Sequence, residues 1–120
     1  MKALFIIVLF AFLQLQAADL KSLSVLYVGT GGSDRFQHFA SFLRTNFARF
    51  EAASRDSFKP SGASAFDVVV LDWPQASDQF KSPSFKCPLG DRQDWAKPTV
   101  LLGSAGLNLA VVWKVRGGSG

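Results

Sequence analysis

The stretch Ser-Leu-Ser-Val-Leu-Tyr-Val-Gly-Thr-Gly-Gly-Ser-Asp, residues 22–34, decides the fold class of this chain. Its first half is mostly apolar and β-prone, and it stops at a glycine turn over residues 29–32. A continuous apolar run that ends in such a turn is typical of a strand buried on both faces. Ser33 or Asp34 then supplies an N-cap. The stretch therefore predicts a β-strand that leads through a glycine turn into an α-helix.

The helix predicted after this turn places its apolar residues on one face. They recur at spacings of three and four residues: Phe36, Phe39, Leu43, Phe47 and Phe50. Further along, residues 50–54 indicate a short second strand, residues 66–72 a core strand, and residues 98–102 a fourth strand. The apolar segment 107–116 can be read as a strand or as a buried helix. We favour the helix, with Gly117 as its C-cap, because a strand ending in a glycine turn usually feeds one.

Alternating strand and helix signals predict an α/β fold, a mostly parallel sheet with helices on both faces. Right-handed crossovers make the strand order 2-1-3-4 the natural choice, in a three-layer, flavodoxin-like arrangement. The pattern also predicts a fifth strand beyond Gly120. Residues 73–97 form a long connection rich in aromatic residues, and we expect it to pack on the domain as a binding loop.

The N-terminus reads as a cleavable secretory signal over residues 1–18, followed by one α/β domain over residues 19–120. Lys2 precedes an apolar run from Ala3 to Leu13, and Ala17 and Ala18 offer small residues for cleavage. A transmembrane helix needs about 20 apolar residues, so the run is too short to span a bilayer, although an uncleaved anchor or a core helix remains an alternative. We expect a periplasmic or extracellular protein without a stable membrane anchor after cleavage.

The charge distribution and the cysteine content limit which partners and covalent links are expected for the chain. Thirteen Lys and Arg against nine Asp and Glu give a net charge of +4, but the basic residues are scattered and form no stripe for nucleic acid. The single cysteine, Cys87, allows no intramolecular disulfide. We expect a partly buried thiol in a loop; an intermolecular bridge and a partner cysteine beyond this chain are the alternatives.

In such a sheet, ligands bind beyond the carboxyl ends of the strands where the strand order reverses, here between the first and third strands. The predicted ligand-binding residues lie in three segments that converge there: Thr30, Gly31, Gly32, Ser33, Asp72, Trp73, Gly103 and Ser104. Glycines beside a helix N-terminus can hold an anion. A dinucleotide fingerprint would need Gly where Asp34 stands, so a tight capped turn is the simpler interpretation. We predict no cofactor and no metal site.

The stretch Pro-Thr-Val-Leu-Leu-Gly-Ser-Ala-Gly-Leu-Asn-Leu-Ala, residues 98–110, resembles the nucleophile elbow of the class I glutamine amidotransferase-like superfamily. When Gly106 is matched, Ser104 takes the position of the superfamily's cysteine and Asn108 that of its glutamine. The Phe-Asp-Val-Val-Val strand from Phe66 is similar to the strand before the oxyanion loop, also in the trehalose-utilisation-like members. The resemblance implies a flavodoxin-like fold with its site at the elbow.

The sequence differs from that superfamily at the positions on which catalysis depends. Ser104 replaces the thiol nucleophile, Pro74-Gln75 replaces a glycine pair, and the only histidine, His38, lies in the first helix. A serine without a base is a poor nucleophile. We therefore expect a non-catalytic exported domain that binds a small ligand or partner. The alternatives are a hydrolase with Ser104 as catalytic nucleophile, assisted by Asp72 or by residues beyond this chain, and a flavin-binding domain suggested by residues 30–33.

Overall fold

The computed structural model describes residues 20–74 and 86–115. Four strands are present: β1 (Ser24–Gly29), β2 (Arg49–Ser54), β3 (Val68–Trp73) and β4 (Thr99–Gly103). Two α-helices lie wholly within the described residues, α1 (Asp34–Asn46) and α2 (Ala105–Val112), and 3-10 turns cover Pro60–Ala63 and Arg92–Asp94. The predicted signal, part of the long connection and Gly117 lie outside the described residues.

The strands form one parallel sheet in the order β2-β1-β3-β4, which confirms the predicted α/β fold and strand order. β1 lies in the middle of the sheet and all six of its residues are buried. The continuous apolar run suits this position because helices or loops cover both faces of a parallel sheet. The strand order reverses between β1 and β3, where the sequence analysis placed the site.

Two apolar cores lie on opposite faces of the sheet. Under α1, the core consists of the side chains of Val25, Tyr27, Leu43 and Val70. On the opposite face, the core joins β1 and β3 to α2 and to the end of the long connection: Leu26, Val28, Ala63, Phe66, Val69, Leu71, Trp73, Leu89, Ala105 and Leu109. Alternate residues of β1 and of β3 therefore belong to different cores, as the two-residue period of a strand requires.

The helix boundaries differ in part from prediction. α1 begins as expected, because the Ser33 hydroxyl accepts a hydrogen bond from the Phe36 N–H at 3.1 Å. α2 ends at Val112 rather than at residue 116, so the assignment of Gly117 as its C-cap was wrong. The Trp113 indole donates to the Gly90 carbonyl at 2.8 Å, and Lys114 adopts a left-handed φ of 51°. This side-chain anchor and the reversal of the backbone end the helix one turn early.

No helix within residues 20–74 and 86–115 combines the length and apolar character that crossing a bilayer requires.

Cys87 is half-buried, carries no disulfide, and packs against the core beside α2. Burial raises the pKa of its thiol, so the thiolate is disfavoured.

Candidate functional site

The candidate site is centred on Asp72, at the carboxyl end of β3 and next to the point where the strand order reverses. The side chain is only 2% exposed. Its Oδ2 atom accepts a hydrogen bond of 2.6 Å from the Tyr27 hydroxyl and one of 2.7 Å from Nε of Arg35. One carboxylate oxygen is thus held by a strand residue and by the first turn of α1.

Tyr27 is positioned by the sheet and by two aromatic rings of α1. Its ring contacts Phe36 edge-on, with centroids 5.3 Å apart, and stacks on Phe39 at 5.8 Å. A Cβ atom at residue 29 would lie 2.7 Å from the oxygen of the Tyr27 hydroxyl. Only glycine at this position therefore leaves room for the Tyr27 ring. Burial, followed by the hydrogen bond to Asp72, raises the pKa of Tyr27. Tyr27 therefore acts as a neutral donor to Asp72.

Two arginines approach the Asp72 region from different elements. Arg35 forms the ion pair with Asp72 while its side chain stays 46% exposed, and its guanidinium lies 5.0 Å from the centre of the Phe39 ring. Arg55, which follows β2, donates to Oγ1 of Thr30 at 3.1 Å and lies 5.5 Å from the centre of the Trp73 ring. The Asp56 carboxylate also acts on Arg55, so the site combines positive and negative groups.

The second oxygen of Asp72, Oδ1, has no partner. Among the residues that the structure describes, it is the one buried side-chain polar atom without a hydrogen bond. It faces the start of the elbow: a Cβ atom at Gly103 would lie 3.5 Å from it. A buried acceptor left unpaired costs about 1–3 kcal/mol, so this oxygen favours a donor from a bound molecule.

The turn between β1 and α1 is held largely by its own hydrogen bonds. The Ser33 hydroxyl donates to the Thr30 carbonyl at 2.7 Å while it caps α1. Gly31 and Gly32 are exposed, and Gly32 has a φ of 81°. Thr30 and Ser33 are therefore engaged in the turn and with Arg55, as expected for a tight capped βα turn. Nothing in this geometry singles out a phosphate.

The elbow between β4 and α2 differs from the expectation for Ser104. The left-handed backbone lies at Gly103, with a φ of 64°, whereas Ser104 has an unstrained φ of −94°. The Ser104 N–H donates to the Trp73 carbonyl at 3.1 Å, which ties the elbow to β3. In a nucleophile elbow the strained residue carries the reacting side chain. Here that residue is a glycine.

The structure brings together some of the predicted residues and separates others. Thr30, Asp72 and Gly103 lie around the same end of the sheet, linked through Arg55 and the Asp72 carboxylate. The Trp73 side chain is 3% exposed and belongs to the core on the opposite face. Trp73 therefore contributes its backbone and the support of Arg55, rather than a surface for a ligand.

Three residues of the site are not predicted by the sequence patterns: Tyr27, Arg35 and Arg55. The apolar pattern predicts Tyr27 only as part of a buried strand, although a tyrosine two residues before a glycine turn places its hydroxyl at the strand end. The helical spacing predicts Arg35 on the solvent face of α1. Its position in the first helical turn, however, points a long side chain back toward the ends of the strands. No sequence signal distinguishes Arg55.

No group of three or more His, Cys, Asp and Glu side chains within residues 20–74 and 86–115 is arranged to hold a metal ion. Comparison of the chain with protein-family models, with curated proteins and with solved structures gave no match.

Proposed function

We propose that this chain is an exported, non-catalytic domain of amidotransferase-like fold that binds a small ligand or partner at the carboxyl edge of its sheet. Asp72 is its central acceptor. The observation that carries the proposal is the buried, unpaired Oδ1 atom of Asp72 beside Gly103. A ligand that offers a hydroxyl, amide or ammonium donor would satisfy this oxygen and remove the cost of its burial.

The surrounding contacts give this acceptor a fixed direction. Tyr27 and Arg35 both bind Oδ2, so the carboxylate cannot rotate without losing two short hydrogen bonds. Aromatic rings of α1 in turn hold both donors. A binding group that is oriented in advance loses little conformational entropy when its ligand arrives. This rigidity suits recognition of a small polar molecule.

The hydrolase alternative has less support. The elbow carries its strained backbone at Gly103, which has no side chain to react. His38, the only histidine of the sequence, is exposed on α1 and has no hydrogen bond to the described site residues. We therefore expect a serine-directed fluorophosphonate probe to leave Ser104 unlabelled in the folded protein. Labelling at Ser104 would favour the hydrolase.

The proposal is tested by ligand screening on the purified protein. Sugars, polyols, amino acids and small amines are screened by thermal shift, and any compound that stabilises the protein is titrated by calorimetry. We expect Asp72→Asn to weaken binding at least tenfold, because the amide cannot offer two oxygens to Tyr27, Arg35 and the ligand together.

Asp67→Asn is the matched control, because Asp67 lies at the opposite end of β3 and bonds only to Ser24. Binding to Asp67→Asn should equal binding to the wild type. If Asp72→Ala and Ser104→Ala both left the affinity of every identified ligand unchanged, the assignment of the site would be wrong.

A further inference from the structure

Arg55, the residue that follows β2, is a half-buried cation that forms no ion pair with a described residue. Its Nη1 atom donates to Oγ1 of Thr30 at 3.1 Å and to the main-chain carbonyl of Asp72 at 3.4 Å, and both acceptors are neutral. In the part of the chain that the structure describes, the one ion pair joins Arg35 to Asp72. Asp56 attracts Arg55, but it is exposed and water screens its charge. Arg55 therefore has no direct counterion among these residues.

The guanidinium of Arg55 also has donors that no described residue accepts. Nη1 makes both of its side-chain hydrogen bonds, and none of the described residues accepts one from Nε or Nη2. Burial lowers the pKa of Arg55, because a charge held away from water is disfavoured. An anion in contact with Nε or Nη2 would offset this cost. The planar guanidinium matches the two oxygens of a carboxylate, so a carboxylate is the anion that suits it best.

Asp72 has a different requirement, because its negative charge already has a partner. Arg35 and Tyr27 both donate to Oδ2, which leaves Oδ1 as a buried acceptor beside a paired charge. An ammonium group at Oδ1 would lie near the Arg35 guanidinium, which is bound to the same carboxylate, and the two positive charges would repel each other. A hydroxyl group satisfies Oδ1 without this repulsion. Oδ1 therefore favours a neutral hydroxyl donor over an ammonium group.

We propose that the ligand of this site is a small hydroxycarboxylate, whose hydroxyl donates to Oδ1 of Asp72 and whose carboxylate accepts from Arg55. The inference rests on the proposed function, since it names the chemical class of the molecule bound at Asp72. One small molecule can reach both groups, because Nη1 of Arg55 lies 3.4 Å from the carbonyl oxygen of Asp72 itself. A carboxylate brings a single negative charge toward Asp72, whereas a phosphate group would bring about two. The carboxylate therefore meets less repulsion.

The first experiment compares lactate with compounds that share its carbon skeleton. Propionate lacks the hydroxyl, lactamide lacks the negative charge, and alanine carries an ammonium group in place of the hydroxyl. In calorimetric titration of the purified protein, we expect each of these compounds to bind about tenfold more weakly than lactate, because each loses a hydrogen bond to a charged group or gains a repulsion.

The outcomes separate the ligand class from the site itself. Equal affinity for lactate and any of the other compounds, lost in Asp72→Asn, would overturn the hydroxycarboxylate class and leave Asp72 as the binding group. The absence of lactate binding would overturn the class as well. If, in addition, no compound of the wider screen depended on Asp72, the proposed function would fail with it.

The second experiment assigns the carboxylate of lactate to its partner in the protein. Arg55→Gln should weaken lactate binding about tenfold and remove the preference for lactate over lactamide, while the preference over propionate persists. Circular dichroism and urea unfolding check that the variant is folded. If Arg55→Gln kept the preference for lactate over lactamide, the carboxylate would not bind Arg55 and the proposal would be wrong.

The matched control is Arg49→Gln. Arg49 lies at the opposite end of β2, and its guanidinium is 5.5 Å from the centre of the Phe66 ring, the same distance that separates Arg55 from the Trp73 ring. The control therefore removes an equal charge and an equal aromatic contact away from Asp72. Arg49→Gln should bind lactate as tightly as the wild type, and an equal loss in the two variants would contradict the assignment to Arg55.

Discussion

The two ends of β3 each carry an aspartate, and the two carboxylates have opposite surroundings. Asp67, before the strand, is exposed and accepts hydrogen bonds of 2.8 Å from both the N–H and the hydroxyl of Ser24. Asp72, five residues later, is buried and has one oxygen without a partner. The first carboxylate fastens β3 to β1, whereas the second is held in place with part of its bonding capacity unused. Such an arrangement is expected where a fold positions a group for a ligand.

The largest effect on stability is expected when each of the two carboxylates is removed by substitution with alanine. Asp72→Ala removes the acceptor of the buried Tyr27 hydroxyl and the partner of Arg35, so we expect the free energy of unfolding to fall by about 2–3 kcal/mol. Asp67→Ala should cost less, because water replaces the carboxylate at an exposed position. Urea unfolding followed by tryptophan fluorescence measures both. An equal decrease in the free energy of unfolding of the two variants would show that the two carboxylates do not differ in their contribution to stability.

The second prediction concerns the ionisation of Tyr27, the only tyrosine of the chain. Because burial and Asp72 raise its pKa, we expect its phenolate absorbance at alkaline pH to develop well above the usual value of about 10. In guanidinium chloride the value should return to about 10. The folded state then holds its proton more tightly than the unfolded state, so stability falls as the pH rises past about 10.

Asp72→Asn supplies the control for this titration, since it removes the carboxylate but keeps the burial. The pKa of Tyr27 should decrease in that variant and still stay above its unfolded value. Normal ionisation of Tyr27 in the folded wild type would show that the pair is open to water, and that Asp72 resembles Asp67 after all.

The third prediction concerns access to Oδ1 of Asp72. Gly103→Ala puts a Cβ 3.5 Å from this oxygen and forces an alanine into a φ of 64°, which costs about 1 kcal/mol. Ligand affinity should also fall, because the new methyl group occupies the space beside Oδ1 that a donor group of the ligand would need. Gly106→Ala is the control: its Cβ meets only Leu101 at 3.6 Å, and it should retain both stability and affinity.

The smallest expected effect is the acid dependence that comes from Asp67. Its bonds to the backbone and hydroxyl of Ser24 lower its pKa, so its contribution to stability is present above the unfolded value of about 3.9 and is lost as the pH falls through the folded value. Below about pH 4, the thermal midpoint of Asp67→Asn should therefore fall less steeply with decreasing pH than that of the wild type. An unchanged decline would mean that the Ser24 bonds do not persist in solution.

Much of the fold was predictable because it depends on local patterns. The run 23–28 is mostly apolar rather than alternating, which indicates a central parallel strand, and the strand order then follows from the handedness of crossovers. Ser33 was predictable as a cap because its position before a periodic helix is a local signal. The end of α2 was not predictable, because it depends on the contact between Trp113 and the distant Gly90 carbonyl.

The sequence by itself determined the α/β class, the parallel sheet and the end of the sheet where Asp72 and the elbow lie, since periodicity and glycine turns are local properties. Only the tertiary structure decided what Asp72 does. Its partners Tyr27, Arg35 and Arg55 come from three other segments, and Oδ1 is buried without a partner in the fold that brings these segments together. Burial and hydrogen-bond satisfaction are properties of packing across the chain, and no stretch of sequence carries them alone.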